Sequence, residues 1–217
     1  MVDAVDRDGI RRLPSGAHGL PPDLVNRNQR ERLVAATAEV CAERGYTDAS
    51  VADIVRRAGV STATFYKQFG DKRECMLAAH RELSGRLLEE VDRACEAGRG
   101  RGAKVRAAIH ASLSLLAADP PSARLLTVEI MAAGPAGAER WDAAIEAFAS
   151  RLRAGGDPGG DPGGEDPLLP HASWAVVASM CMLVGKRVMA GEANRLPELE
   201  DEFVAMATGA VCLLDDR

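Results

Sequence analysis

Between Ser50 and Lys72 the chain reads SVADIVRRAGVSTATFYKQFGDK, and this stretch leaves little freedom about how it folds. Ser50 and Asp53 stand at capping-box spacing, which predicts a helix start with negative charge at its positive end. Val51, Ile54, Val55 and Ala58 then recur at helical intervals and give that helix a buried face. Gly59 ends it by supplying a residue free to take positive φ, and Val60 plugs the gap to the next element. Ser61 caps a second helix whose first turn is Thr62, Ala63 and Thr64. Phe65 and Phe69, four apart, anchor this helix in a core, while Tyr66, Lys67 and Gln68 fall on or near its outward side. Asp71 and Glu74 repeat the capping spacing and start a third helix at once.

Two short helices joined by a tight turn, the second opening on small hydroxylic residues, have the layout of a helix-turn-helix. Hydroxyls, helix N-termini, a tyrosine hydroxyl and ammonium groups all donate to phosphate oxygens. Threonine also offers a methyl to thymine or a hydroxyl to a base edge, and Lys67 can reach a guanine edge or a phosphate. A plain three-helix bundle with polar residues facing water would show the same helical spacing. Small side chains at positions 62 to 64, where close approach to a duplex is required, favour DNA.

From about Asn26 to His80 the chain resembles the DNA-binding domain of the tetracycline-repressor (TetR) family. The matching residues are Leu33-Val34 and Ala36, Gly45-Tyr46, Ser50-Val51, Asp53-Ile54, Ala58-Gly59-Val60-Ser61, Thr64-Phe65-Tyr66, Phe69 and Asp71-Lys72, in the family's order and spacing. The resemblance implies that Thr62, Thr64 and Lys67 face bases or nearby phosphates, with Ser61 and Ala63 in the same first turn. It also implies that Ser50, Tyr66 and Lys72 hold the DNA backbone. Cys41 replaces the usual bulky aromatic of the first helix, and Gln68 stands where histidine or an aromatic is common; glutamine can itself read adenine.

The rest of the chain agrees with an all-α protein: an N-terminal three-helix domain over residues 23–80 and a larger helical domain over 81–217. Strand alternation never persists, and aromatics are 4% of residues, so the larger domain must pack with aliphatics and methionine. The net charge of −5 is unevenly spread. From Asp23 to Glu82 there are 10 basic and 9 acidic residues; from Leu83 onward there are 14 and 20, so the acidity lies away from the proposed DNA surface. Affinity would then depend on the placement of Arg27, Arg30, Lys67 and Lys72. The five cysteines are scattered without metal-ligand spacing, so neither a metal site nor a disulfide framework is expected, nor any cofactor. With no apolar leader and no run read as long enough to span a membrane, a cytoplasmic chain is expected.

Residues 1–22 read as a flexible arm and 155–167, which carry DPGG twice, as a flexible linker; a calcium repeat there is improbable for want of carboxylates. Helices are predicted over about 71–97, 103–118, 121–133, 137–153, 168–190 and 197–214. The last two are apolar over much of their circumference, as befits a core or a subunit interface. The family resemblance implies that they pair with their copies in a homodimer, placing two recognition helices on a palindromic double-stranded operator.

The same resemblance puts a sensing pocket among the helices from the long third one to residue 190. Leu113, Met131, Trp141, Phe148, Trp174 and Met180 are its leading candidates, with Leu87, Val91, Ile109, Leu116, Leu126, Ile130 and Ile145 beside them. Arg124, Glu129, His110 and His171 are candidate polar contacts. Such a lining would suit a small, largely apolar effector. The function expected is a transcriptional repressor released from DNA by that effector. The alternatives are a ligand-independent dimeric regulator controlled by a protein partner and, remotely, a helical enzyme. For the last the four histidines show no paired ligand spacing, and there is no phosphate loop or nucleophile elbow.

Overall fold

The computed structural model describes residues 21–153 and 169–215, and all regular structure among them is helical. The expected arm (residues 1–22) lies outside the described residues up to residue 20, and the expected linker (155–167) lies wholly outside them. The helices are α1 (Pro22–Arg44), α2 (Val51–Ala58), α3 (Thr62–Gln68), α4 (Lys72–Ala97), α5 (Arg101–Ala118), α6 (Pro120–Thr127), α7 (Pro135–Arg153), α8 (Leu169–Met189) and α9 (Glu200–Asp215). Two 3-10 segments, Glu129–Ala133 and Ala193–Leu199, join α6 to α7 and α8 to α9.

Caps account for most boundaries. Ser50 and Asp53 form a reciprocal capping box, Ser61 accepts the Thr64 N–H at 3.0 Å, and Asp71 accepts that of Glu74 at 2.7 Å. Gly59 takes the left-handed conformation (φ 61°, ψ 39°) that closes α2 and turns the chain into α3. One helix expected over 121–133 is instead two pieces. Val128 (φ −124°, ψ −61°) leaves the α-region, so α6 stops at Thr127 and the following residues tighten into a 3-10 turn. The last helix likewise starts at Glu200, because the Pro197 region forms 3-10 structure.

The apolar residues form two clusters. The first gathers Leu33, Ile54, Phe65, Phe69, Cys75 and Met76 from α1–α4, and it extends to Leu125, Ile130 and Ala133 of the later chain. The second joins α4, α5, α6, α8 and α9 around Leu87, Leu113, Leu116, Val184, Leu196 and Phe203. The helix-turn-helix core therefore does not close at residue 80; α6 and the turn after it complete it.

Helix α8 departs from expectation. His171–Met189 has a mean hydropathy of 1.3 and is long and apolar enough to cross a membrane by length and composition, although the sequence reading found no such run. Only 28% of it is buried in the protomer. Ala175, Ser179, Met182, Lys186 and Met189 line its exposed face at helical spacing, with Met182 71% and Met189 55% exposed.

Candidate nucleic-acid interface and effector cavity

Helix α3 is fixed from beneath and open above. Phe65 is fully buried and Phe69 nearly so, their rings 5.7 Å apart, and burial of each aromatic is worth about 1.5–3 kcal/mol. Arg30 lies over the Phe69 ring at 4.6 Å and pairs with Glu82 at 2.7 Å, so the base of α3 is pinned to α1 and α4. Outward, Thr62, Ala63 and Lys67 are exposed and Thr64 and Gln68 half-buried. Tyr66 is 57% exposed, its ring edge-on to Phe65. Gln68 donates from Nε2 to the Asn26 carbonyl at 3.5 Å, a long bond that ties it to the start of α1. Lys67 makes no ion pair among the described residues and so presents a free ammonium on this face.

Two residues expected to grip the DNA backbone are engaged within the protein. Lys72 donates to the carbonyls of Tyr46 (2.7 Å), Thr47 (3.2 Å) and Ala49 (2.7 Å), and its ammonium sits 4.4 Å from the Tyr46 ring centre. An ammonium has three protons, and all three are committed to the turn between α1 and α2. Ser50 is similarly occupied: its hydroxyl donates to Asp53 at 2.6 Å and its N–H to the same carboxylate at 3.2 Å. The Ser50 hydroxyl bond, and then the Arg56 guanidinium, lower the Asp53 carboxyl to about 2. Other cations are also used inside. Arg57 is held by Glu39 (2.6 Å) and Glu43 (2.7 Å), and Arg32 caps the α2 carbonyl end at Gly59 (2.9 Å). The near-neutral charge of this segment thus hides a division between cations bonded within the protein and those, such as Lys67, that make no ion pair among the described residues.

A second connection reaches the turn from the far part of the chain. Glu129, 7% exposed, accepts the Tyr46 N–H at 2.8 Å through one oxygen and Arg124 Nε at 2.8 Å through the other. The Tyr46–Ala49 turn is therefore clamped by Lys72 on one side and by Glu129 on the other. Glu129 and Arg124 had been expected as polar contacts of an effector; they join two parts of the molecule instead. Nothing local in the sequence marks this tie.

Above α4 lies a cavity of about 170 Å³. Leu113, Trp141, Phe148 and Met180 line it as expected, with Leu87, Val91, Ile109, Leu116, Leu126 and Ile145. Met131 and Trp174 do not. Met131 points outward from the 3-10 turn at 50% exposure, and Trp174 stands behind Trp141, edge-on at 6.0 Å, donating Nε1–H to Asp142 at 2.9 Å. Ile130 belongs to the other core. His110 pairs with Glu200 at 2.8 Å on the surface, and His171 is exposed. Sequence reasoning overlooked polar lining residues, among them Ser84, Ser112, Thr127, Arg151 and the 1% exposed His80. Its signal was its place in the α4 stripe of Met76, Ser84, Leu87 and Val91.

Known proteins resemble this chain in its DNA-binding segment and in its fold. Residues 33–79 match the family described as bacterial regulatory proteins, tetR family. The HTH-type transcriptional activator FasR of Mycolicibacterium smegmatis is 29% identical over 126 residues, covering 58% of this chain and 57% of that protein. The chain thus spans little more than half the length of that relative. Among solved structures, the fatty acid degradation regulator FadR from Bacillus halodurans superimposes with a TM-score of 0.71 at 21% identity, covering 82% of this chain and 98% of its own. FadR from Bacillus subtilis, solved in complex with stearoyl-CoA, gives a TM-score of 0.65 at 20% identity over 82% and 98%. At these identities the structural likeness establishes the fold.

Proposed function

We propose that this chain, a TetR-family regulator by its DNA-binding domain, is a homodimer that represses transcription from a palindromic operator and releases it when a small, largely apolar molecule enters the cavity. The observation that carries the reading is the joint presence of an open α3 face and an apolar cavity, linked by α4 and α6. Thr62, Thr64 and Lys67 approach bases or adjacent phosphates, and Tyr66 offers its hydroxyl to the backbone. Lys72 and Ser50 act one step back, by holding the turn and α2 in place.

Dimerisation is assigned to α8 and α9. The exposed stripe on α8 is mostly apolar or small, as close helix approach requires, and Lys186 on it can meet Asp201 or Glu202 of a second copy. Two α3 helices about 34–36 Å apart would then meet successive major grooves.

The cavity abuts α6, which continues into the Glu129 tie to Tyr46. A ligand that favours a shifted α6 would move the turn that positions the helix-turn-helix, with a coupling of about 1–3 kcal/mol. The B. subtilis relative was solved with an acyl-CoA, which supports an apolar chain as the effector's body. The cavity also favours this reading over a regulator that needs no ligand.

Selection of bound sequences from a random duplex pool at fixed salt tests the proposal. Enrichment of a palindrome is expected. Weak, salt-sensitive binding without enrichment would overturn it.

A further inference from the structure

Two buried side-chain polar atoms lack a hydrogen-bond partner among the described residues, and they belong to neighbouring groups: His80 Nδ1 on α4 and Arg140 Nε on α7. The two helices pack together here, and the Arg140 charge acts on the His80 imidazole. A guanidinium withdrawn from water needs a counter-charge, and elsewhere in this chain it has one. Arg30, Arg124, Arg151 and Arg187, with side chains between 25% and 29% exposed, each face a carboxylate at 2.7 or 2.8 Å.

Arg140 is half-buried and makes no ion pair among the described residues. Burial, and then the like charge of Arg81, hold its guanidinium below the ordinary arginine value. Arg81 is exposed and its guanidinium is equally without an ion pair among the described residues. The acids that the sequence places beside the two arginines do not answer them. Glu82 is bonded to Arg30, Asp142 accepts the Trp174 indole, and Glu139 is exposed and pairs with neither. A part-buried cation beside a second cation, with an orphaned N–H between helices, is unfavourable until an anion arrives.

We propose that Arg81 and Arg140 form an oxyanion site on the α4–α7 seam, taking the phosphate or carboxylate group of a small ligand. Guanidinium N–H groups make a planar fork that matches either group. Arg140 supplies a donor already stripped of water, its Nε–H, and the exposed Arg81 supplies charge and a way in from solvent. The oxyanion replaces one repulsion with two charge-assisted attractions. Next in sequence to the two arginines, His80 and Trp141 line the cavity, but the arginines themselves do not, so this site is separate from the apolar lining. Three residues before Arg140, Gly137 lies against the Ile130 carbonyl in the turn that carries Glu129. An anion bridging Arg81 and Arg140 therefore ties α4 to α7 beside that turn. The group arrives either as a free anion or as the head of an amphiphile whose tail occupies the cavity.

Inorganic phosphate, octanoate and octanol are titrated into the full chain at constant ionic strength, with chloride as the balancing ion. Arginine Nε–H resonances of the isotope-labelled native protein report the site, and tryptophan fluorescence reports the cavity. An oxyanion should move the Arg140 resonance saturably and raise the melting temperature above the chloride control, whereas octanol should not move that resonance. Arg140→Gln should weaken oxyanion binding at least about tenfold. The exposed Arg81→Gln should weaken it several-fold, and Arg86→Gln, elsewhere on the exposed surface of α4, should leave it unchanged. A response to phosphate alone supports the site and identifies a free anion as its ligand. A response to octanoate but not to phosphate, with a change in fluorescence, supports it and identifies the head of the effector. A resonance that moves no more than with chloride, an affinity that survives both Arg140→Gln and Arg81→Gln, or equal losses in all three variants would overturn the inference. The cavity reading would stand apart from that failure, since octanol reports it separately.

Discussion

Glu129 accepts the backbone N–H of Tyr46 at 2.8 Å, across 83 residues of chain, and so a side chain beyond α6 fixes the turn that leads into the helix-turn-helix. The bond is buried on the carboxylate side, and its second oxygen is held by Arg124. Replacing Glu129 by Ala orphans one part-buried N–H and releases one guanidinium that is partly exposed. The expected loss is about 2 kcal/mol of unfolding free energy, with weaker operator binding because the turn is freed. Urea denaturation and a binding isotherm check both; a variant as stable and as tight as the native chain would make the contact incidental.

Lys67 and Lys72 should separate cleanly in salt titrations. Lys67 is exposed and makes no ion pair among the described residues, so Lys67→Ala should lower the dependence of log affinity on log salt by about one unit with little change in stability. Lys72 has its three protons on the Tyr46, Thr47 and Ala49 carbonyls. Lys72→Ala should therefore reduce stability by about 1–3 kcal/mol and weaken binding with a nearly unchanged salt slope. A slope reduced by one for Lys72→Ala, in a protein of native stability, would return it to the phosphate contacts.

Gly137 marks a close approach between α7 and the turn that carries Glu129. A Cβ built there would overlap the Ile130 carbonyl oxygen and press on the Ala133 side chain at 3.0 Å. Backbone cannot yield as a flexible side chain does, so Gly137→Ala should cost about 1–3 kcal/mol or more. Thermal melting measures it. Equal melting temperatures would show that the turn can move aside.

Met182→Asp tests the assigned dimer face. Met182 is the most exposed large apolar residue of α8, so a protomer in isolation should tolerate the change within about 0.5 kcal/mol. A carboxylate desolvated between two copies should not be tolerated, since Lys186 one turn on offsets only part of that cost. Sedimentation should show dimers for the native chain and monomers for the variant, with loss of operator binding. A variant that stays dimeric would move the interface elsewhere.

What was legible in the sequence was local. The Ser50–Asp53 box, the Gly59 turn and the Ser61 cap depend on neighbours a few residues apart, and all three form as expected. What was not legible depends on distant partners. Lys72 looks like a surface cation until the turn it serves, more than twenty residues earlier, folds back over it. Val128 breaks a helix that periodicity would continue, and the 3-10 turn that follows carries Glu129, which bonds Tyr46. Met131 and Trp174 satisfy the helical spacing of a lining residue, but spacing names a face without naming what that face meets. The apolar length of α8 went uncounted because Lys186 and Arg187 interrupt the run near its end.

His80 should dominate the response of stability to mild acid. Its imidazole titrates near 4 in the folded chain, against 6.5 when exposed, because burial and Arg140 disfavour the charged form more than the Leu126 carbonyl supports it. Between those values the unfolded chain binds a proton that the folded chain refuses, so stability falls as pH falls through this window. The loss should be about 2 kcal/mol from pH 7 to pH 5, approaching about 3 kcal/mol as pH nears 4. The lowered carboxylates, Asp53 near 2 with Glu198 and Glu200 below the usual range, act the same way but only at lower pH. Urea unfolding at roughly pH 7, 6 and 5 separates them, and His80→Leu should flatten the response over that interval. A native chain equally stable at pH 7 and 5 would mean that the imidazole can charge in place.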